Sequence, residues 1–117
     1  MYGNHFTFKE LIHTDTGLDN SVSCDSHLCN LATLWNTLNF IREELGKPIF
    51  VNSAYRTPPV NKQVGGAKRS LHLQGRAADI RCAPMDMERL WEIIEQYDSE
   101  YGLSEKIKYS TFYHIAI

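Results

Sequence analysis

The sequence has almost no excess of charge of either sign: 12 Lys and Arg residues against 14 Asp and Glu residues give a net charge of −2. This balance excludes the basic surface with which proteins bind nucleic acid or anionic membranes. No apolar run approaches the ~20 residues that span a bilayer, so we expect no membrane insertion. The start, MYGNHFTFKE, lacks the basic and apolar segments of a signal peptide, which predicts synthesis in the cytoplasm without one.

Cysteine is scarce as well, and the three cysteines, an odd number, argue against a disulfide framework. Cys24 and Cys29 flank His27, but the C-x2-C spacing of a structural zinc site is absent and Cys82 is remote in the sequence. We therefore predict free thiols. The length of 117 residues and the 43% hydrophobic content suit one compact domain, residues 1–117, which we expect to be a monomer.

Three segments have helical patterns. FTFKELIHTD (6–15) predicts a short helix, with Thr7 as N-cap and a glutamate three residues on that completes a capping box. Apolar residues recur at intervals of three and four residues from Leu31 onward, and this spacing predicts an amphipathic helix that ends at Gly46. MDMERLWEIIEQY, Met85 to Tyr97, has a second amphipathic pattern. The polar stretch TGLDNSVSCDS between the first two helices indicates a loop.

Strand patterns alternate with these helices. IFVNSAYR (49–56), AADIRC (77–82) and two short tail segments near 107–109 and 113–117 predict strands. TPPVNKQVGGAKRS (57–70) reads as a long loop, and long loops in small domains are more often functional than idle. The pattern favours an α+β fold, with helices packed on one face of a small antiparallel sheet.

His72 and Asp79 lie seven residues apart in SLHLQGRAADI, a spacing that brings two side chains together only if the chain turns near Gly75. Alternation within the strands places Asp79, and also His114 in YHIAI, on the side opposite the apolar residues. If the two strands pair, these three residues form a two-histidine, one-aspartate set that suits zinc with a fourth position for water. The alternative is that these histidines are simply solvated or hydrogen-bonded. The remaining histidines are interpreted as structural: His5, His13 and His27.

The segment SAYRTPPVNKQVGGAKRSLHLQGRAADI resembles the S-x-H-x-x-G-x-A-x-D signature of the M15 zinc peptidases, in the peptidoglycan-cleaving D-Ala-D-Ala carboxypeptidase group. It includes the preceding S-x-Y-R and V-N-x-x-V-G-G segments, and FTFKELIHTDTGLDN resembles small phage and prophage members. The resemblance covers nearly the whole chain. It implies bound Zn²⁺ and the fold shared with the hedgehog signalling domain, in which helices pack on an antiparallel sheet.

The resemblance also implies roles for individual residues. His72 and Asp79 match the first two zinc ligands of the family, and His114 matches the third. Arg56 matches the arginine that contacts substrate, where its planar charged fork suits a carboxylate or a developing oxyanion; a surface salt bridge is the alternative. The Ser70 hydroxyl either orients substrate or caps its own turn.

The tail departs from the family pattern. Many relatives carry an acidic residue three positions before the last histidine, where this chain has Thr111, and hedgehog-like relatives carry a histidine at the position of Phe112. Glu105 is the acidic residue of this segment, and it reaches the metal as a catalytic base only if the tail folds back as a hairpin. Alternative groups are Tyr109 and Tyr113. We therefore expect metal binding with weak activity.

The expected function is that of a zinc metallopeptidase that cleaves peptidoglycan stem peptides, as a D-Ala-D-Ala carboxypeptidase or as an endopeptidase. Such an enzyme, if encoded by a phage, would reach the cell wall after holin-mediated release. The alternative is a non-catalytic zinc-containing module that binds the cell wall or belongs to a virion. A signalling domain with structural zinc has little support beyond the shared fold.

Overall fold

A four-stranded antiparallel sheet forms the centre of the computed structural model, which describes residues 4–117. In chain order the strands are β1 (Phe50–Ser53), β2 (Ala77–Arg81), β3 (Glu105–Lys108) and β4 (Tyr113–Ala116). Their spatial order is β1-β2-β4-β3, so the hairpin of β3 and β4 joins β2 through β4. The first three residues of the segment considered above for a signal peptide lie outside the described residues.

Four helices surround this sheet. They are α1 (Phe8–Ile12), α2 (Asp25–Leu45), α3 (Pro58–Gln63) and α4 (Met87–Tyr101), and short 3-10 turns at Leu71–Gln74 and Pro84–Asp86 precede β2 and α4. The predicted α+β class, with helices and a small antiparallel sheet, is confirmed. From residue 4 onward, none of the helices combines the length and apolar character needed to cross a bilayer.

The register between β2 and β4 divides the sheet into an apolar face and a polar face. Asp79 pairs directly with His114, and Ile80 pairs with Tyr113 in the next position. Because directly opposed residues of an antiparallel pair point to the same side, Asp79 and His114 share one face, while Ile80, Tyr113 and Ile115 share the other. The predicted pairing of these two strands is therefore confirmed.

The core lies on the apolar face of the sheet, against the two long helices. Leu34, Leu38 and Ile41 of α2 are fully buried, as are Leu90 and Ile94 of α4. Complete burial of one such side chain contributes ~1.5–3 kcal/mol to folding, so this cluster outweighs any single polar contact of the opposite face. The core thus fixes which face of β2 and β4 is left for polar side chains.

The first two helices differ from their predicted bounds. The predicted capping box of Thr7 with Glu10 is present, but α1 ends at Ile12 because the chain turns extended at His13. Helix α2 begins at Asp25, well before the predicted Leu31. Its first turn is polar, so no periodic apolar pattern marks this start in the sequence. An acidic side chain in the turn interacts favourably with the positive end of the helix dipole.

The predicted loop 57–70 contains a helix, α3, that sequence reasoning missed. Pro58 opens this helix at its first position, where a proline loses no hydrogen bond. Helix α4 begins at Met87 rather than Met85 and continues past Tyr97 to Tyr101, whose ring packs edge-on against Phe40 at a centroid distance of 5.7 Å. The observed bounds of the strands differ from the predicted bounds by at most three residues in each case: β1, β2, β3 and β4.

Gly75 makes the chain reversal that the spacing of His72 and Asp79 requires. Its φ of +72° lies in the left-handed region, and a Cβ built there would lie 2.9 Å from the His27 carbonyl oxygen and 3.0 Å from Leu31 Cγ. Both the backbone conformation and the close approach of α2 therefore require glycine. The predicted turn near Gly75 is confirmed.

We expect Gly75→Ala to lower the free energy of unfolding by about 2–5 kcal/mol, because it combines left-handed strain with overpacking against α2. Gly46→Ala is the matched control, since Gly46 has a φ of +70° and open space around its Cα. We expect that variant to lose only the ~1–2 kcal/mol of backbone strain. Urea unfolding in the presence of a chelator measures both values, and equal losses would contradict a role for the α2 contact.

Candidate metal centre

Three side chains from three different elements converge on the polar face of the sheet. Asp79 and His114 come from the paired strands β2 and β4, and His72 comes from the turn Leu71–Gln74. Ser70 caps that turn, with its hydroxyl oxygen accepting a hydrogen bond from the His72 backbone N–H at 3.2 Å. One potential ligand atom from each of the three residues lies within 4.8 Å of the others.

The ring of His72 is held with one nitrogen directed at Asp79. Its Nδ1 lies 2.6 Å from the Ala54 carbonyl oxygen, and because a carbonyl only accepts, Nδ1 carries the proton. Nε2 faces Asp79 Oδ1 at 3.2 Å. When the imidazole is neutral, His72 Nε2 and Asp79 Oδ1 are both hydrogen-bond acceptors. A cation bound by both atoms would give each of them a partner. His72 is only 3% exposed, so water is largely excluded from this contact.

His114 has a carboxylate on each side of its ring. Nδ1 lies 2.8 Å from Asp79 Oδ1, the same oxygen that His72 faces. Nε2 lies 2.8 Å from Glu105 Oε1. The two imidazoles meet edge to face, with ring centroids 5.2 Å apart. Asp79 Oδ1 is thus the point on which both histidines converge.

The electrostatics of the cluster favour an ionised aspartate. Burial raises the pKa of Asp79, but hydrogen bonds with His114 and His72 outweigh burial and lower the pKa to about 2. For His114, burial lowers the pKa, and the Asp79 and Glu105 carboxylates reverse this and raise it above the ordinary histidine value. A proton on the His114 imidazole therefore balances the neighbouring carboxylates, and a bound cation would take its place.

Arg56 lies next to the cluster and is fixed by three partners. Its Nε donates to Ser53 Oγ at 3.0 Å, one terminal nitrogen donates to Asn61 Oδ1 at 3.2 Å, and the other donates to Asp79 Oδ2 at 3.4 Å. Its backbone N–H donates to the His72 carbonyl at 3.0 Å, which ties the segment after β1 to the turn that carries His72. A guanidinium has five N–H groups, so two remain for a ligand.

Asn61 and Gly66 support Arg56, and sequence reasoning missed both. The Asn61 amide donates to the Ala67 carbonyl at 2.9 Å while its oxygen receives Arg56. Gly66 lies against this pair, and a Cβ at Gly66 would collide with Asn61 Oδ1 and approach an Arg56 nitrogen at 2.9 Å. The V-N-x-x-V-G-G segment contained the signal, because it places an asparagine and two glycines in the predicted long loop 57–70.

The cluster and Arg56 line one open cleft of about 460 Å³. Arg69 and Ser70 contribute further polar groups to its wall. The cleft is also lined by apolar residues: Val64, Ile107, Tyr109 and Phe112. The rings of the last two stack at a centroid distance of 4.7 Å across the turn between β3 and β4. An elongated ligand with both charged and apolar groups fits such a cleft.

The tail folds back as the hairpin that Glu105 needed in order to approach the cluster, and Glu105 lines the cleft. Thr111, at the position where relatives carry a carboxylate, is exposed in the hairpin turn. The three other histidines lie outside the cluster. His5 contacts Glu43, His13 contacts Asp15, and His27 packs near Tyr55. The structure therefore brings together His72, Asp79, His114, Arg56, Ser70 and Glu105.

These donors fit a zinc ion. Two imidazole nitrogens and one carboxylate oxygen are the ligands of open zinc sites, in which donors lie ~2.0–2.2 Å from the ion. The candidate ligand atoms already lie close together, with Asp79 Oδ1 at 3.2 Å from His72 Nε2 and at 2.8 Å from His114 Nδ1. Cys24, Cys29 and Cys82 are free thiols and take no part in the cluster, as predicted.

Comparisons with known proteins agree with this geometry. The zinc D-Ala-D-Ala carboxypeptidase of Streptomyces albus G is 38% identical over 79 residues, which cover 65% of this chain and 31% of that relative. The chain thus spans about a third of the length of the curated relative that it matches. A family model described as Peptidase M15 matches residues 4–116, nearly the whole chain. The chain belongs to the M15 peptidase family.

Proposed function

We propose that this chain is a zinc-dependent peptidase that cleaves peptide bonds in the stem peptides of bacterial peptidoglycan. The observation that carries the proposal is the convergence of His72, Asp79 and His114 beside Arg56 in one open cleft. Membership in the M15 family supports it, as does the similarity to a relative named as a zinc D-Ala-D-Ala carboxypeptidase.

In this proposal each group of the cleft has its own role. His72, Asp79 and His114 would hold the zinc ion, which would supply a Lewis acid beside the scissile carbonyl. Arg56 offers its two unused N–H groups to a substrate carboxylate or to the carbonyl oxygen as that oxygen gains charge. The Ser70 hydroxyl accepts from the His72 N–H, which leaves its own proton for a substrate acceptor.

We further propose that hydrolysis is slow. Among the described residues that line the cleft, only Asp79 and Glu105 carry carboxylates, and both are bonded to histidines. General acid–base assistance is worth roughly 10²–10⁴-fold in rate, so an enzyme without a free carboxylate runs slowly but is not silent.

Digestion of purified muropeptides with the zinc-loaded protein tests the proposed reaction. Mass spectrometry of the products distinguishes removal of a terminal residue, the carboxypeptidase outcome, from cleavage within the stem, the endopeptidase outcome. Products of either kind support the proposal. Co-sedimentation with cell walls and no product at any zinc loading would favour the non-catalytic wall-binding module instead.

We expect about one zinc ion per chain, because three donors from one cluster complete a single open site. His72→Ala and His114→Ala should each remove most of this zinc. Elemental analysis after dialysis measures the content. His13→Ala is the control, since His13 is exposed and pairs with Asp15 away from the cluster, and it should retain full zinc. Unchanged zinc in both ligand variants would overturn the assignment.

We expect Arg56→Lys to lower kcat/KM on the order of a hundredfold, equivalent to about 2–4 kcal/mol, because a lysine cannot reproduce a bidentate contact. Zinc content and the unfolding midpoint should stay near wild type. Arg89→Lys is the control, since Arg89 is exposed on α4 and pairs with Glu92. If Arg56→Lys cleaves substrate at the wild-type rate, or if it fails to fold, the role of Arg56 is structural.

A further inference from the structure

Glu105 approaches His114 from the side opposite Asp79. Glu105 opens β3 and pairs with Ala116, two residues beyond His114 on β4. Residues in this diagonal relation share one face of a sheet and lie within reach of long side chains. The Glu105 carboxylate spans the diagonal, and its Oε1 lies 2.8 Å from His114 Nε2.

The role of this contact depends on which ring nitrogen of His114 carries the proton. A neutral imidazole has one N–H and one lone pair, and a carboxylate only accepts hydrogen bonds. For Nδ1 to offer its lone pair beside Asp79, the proton must sit on Nε2, and Nε2 donates it to Glu105. His72 is arranged the same way, with Nδ1–H donating to Ala54 and Nε2 facing Asp79. Each imidazole is held from behind by an acceptor.

We propose that Glu105 is a positioning residue for His114, and that it is not the general base of the reaction. This inference rests on the proposed zinc site. Glu105 fixes the tautomer and the ring orientation of His114, and its negative charge makes Nδ1 a stronger ligand. A general base must lie within hydrogen-bond reach of the attacking water, whereas the Glu105 oxygen described here is bonded to the ring nitrogen that faces away from Asp79.

The contact also explains the placement of the β3–β4 hairpin. The Tyr109 N–H donates to the Phe112 carbonyl at 3.0 Å and closes the turn, so the hairpin returns the chain directly to β4. With Ile107 paired to His114, the side chain of Glu105 lies one step further along the same face. The hairpin therefore supplies a second partner for His114. The pairing of β2 with β4 alone would leave one nitrogen of this ring without a hydrogen bond.

Two substitutions at Glu105 separate positioning from base catalysis. Glu105→Gln keeps a carbonyl oxygen that accepts the Nε2 proton but removes the base, whereas Glu105→Ala removes both. We expect Glu105→Ala to weaken zinc affinity about 10–100-fold and Glu105→Gln to weaken it less than about fivefold. At saturating zinc, kcat of Glu105→Gln should stay within about tenfold of wild type. A general base would instead leave zinc affinity unchanged in both variants and cost roughly 10²–10⁴-fold in kcat.

Zinc affinity is measured by competition with a chromophoric chelator, and the visible spectrum of the cobalt-substituted protein reports ligand geometry independently of activity. The spectrum should change in Glu105→Ala and stay near wild type in Glu105→Gln. Lys108→Ala is the control on the same strand, because Lys108 extends over the Trp91 ring at 5.6 Å, on the other face of the sheet. It should leave affinity and spectrum unchanged. Unfolding curves of the metal-free variants check that each one folds.

The zinc measurements distinguish a wrong role for Glu105 from a wrong metal site. If wild type binds zinc and Glu105→Ala binds it equally well, the positioning role is wrong while the zinc site stands. A collapse of kcat in Glu105→Gln with wild-type affinity would make Glu105 the base and likewise overturn this inference. If wild type itself takes up no zinc, the proposed function fails and the inference fails with it.

Discussion

The register between β2 and β4 is the constraint on which the whole site depends. Asp79 faces His114 because Ile80 and Ile115 are buried in the core on the other side of the sheet. A slip of one residue would turn every side chain of a strand to the opposite face, which would bury Asp79 in the core and expose Ile80. The hydrophobic effect therefore sets the position of the proposed metal ligands, and the fold tolerates buried polar groups there because they bond to one another.

A second layer of contacts limits how far these groups move. The chain that leaves β1 passes behind the turn of His72, where the Ala54 carbonyl receives Nδ1–H and the Arg56 backbone N–H donates to the His72 carbonyl. Asn61 and Ser53 fix the guanidinium of Arg56 in the same way. Sites whose ligand side chains are held by such partners lose less entropy when a metal or substrate binds. Their side chains keep a single geometry before and after binding.

Sequence reasoning located the three clustered side chains more easily than the groups that support them. The alternation of AADIRC and YHIAI was enough to place Asp79 and His114 on one face, because a period of two leaves no other choice once the strands pair. Helix α3 and the early start of α2 were missed because polar first turns carry no apolar period. The roles of Asn61, Gly66 and Ala54 depend on contacts between distant segments, and spacing within a single sequence does not encode them. The contact of Glu105 with His114 required the hairpin, which the sequence left open.

In the proposed site, one zinc ion binds to two imidazoles and one carboxylate, with no sulfur. A zinc K-edge X-ray absorption spectrum of the protein with one equivalent of zinc tests this most directly. The account predicts only nitrogen and oxygen neighbours at ~2.0–2.2 Å, together with the outer-shell scattering of two imidazole rings. Because the chain carries three free cysteines, a sulfur neighbour at ~2.3 Å is the clear alternative, and its presence would contradict the site.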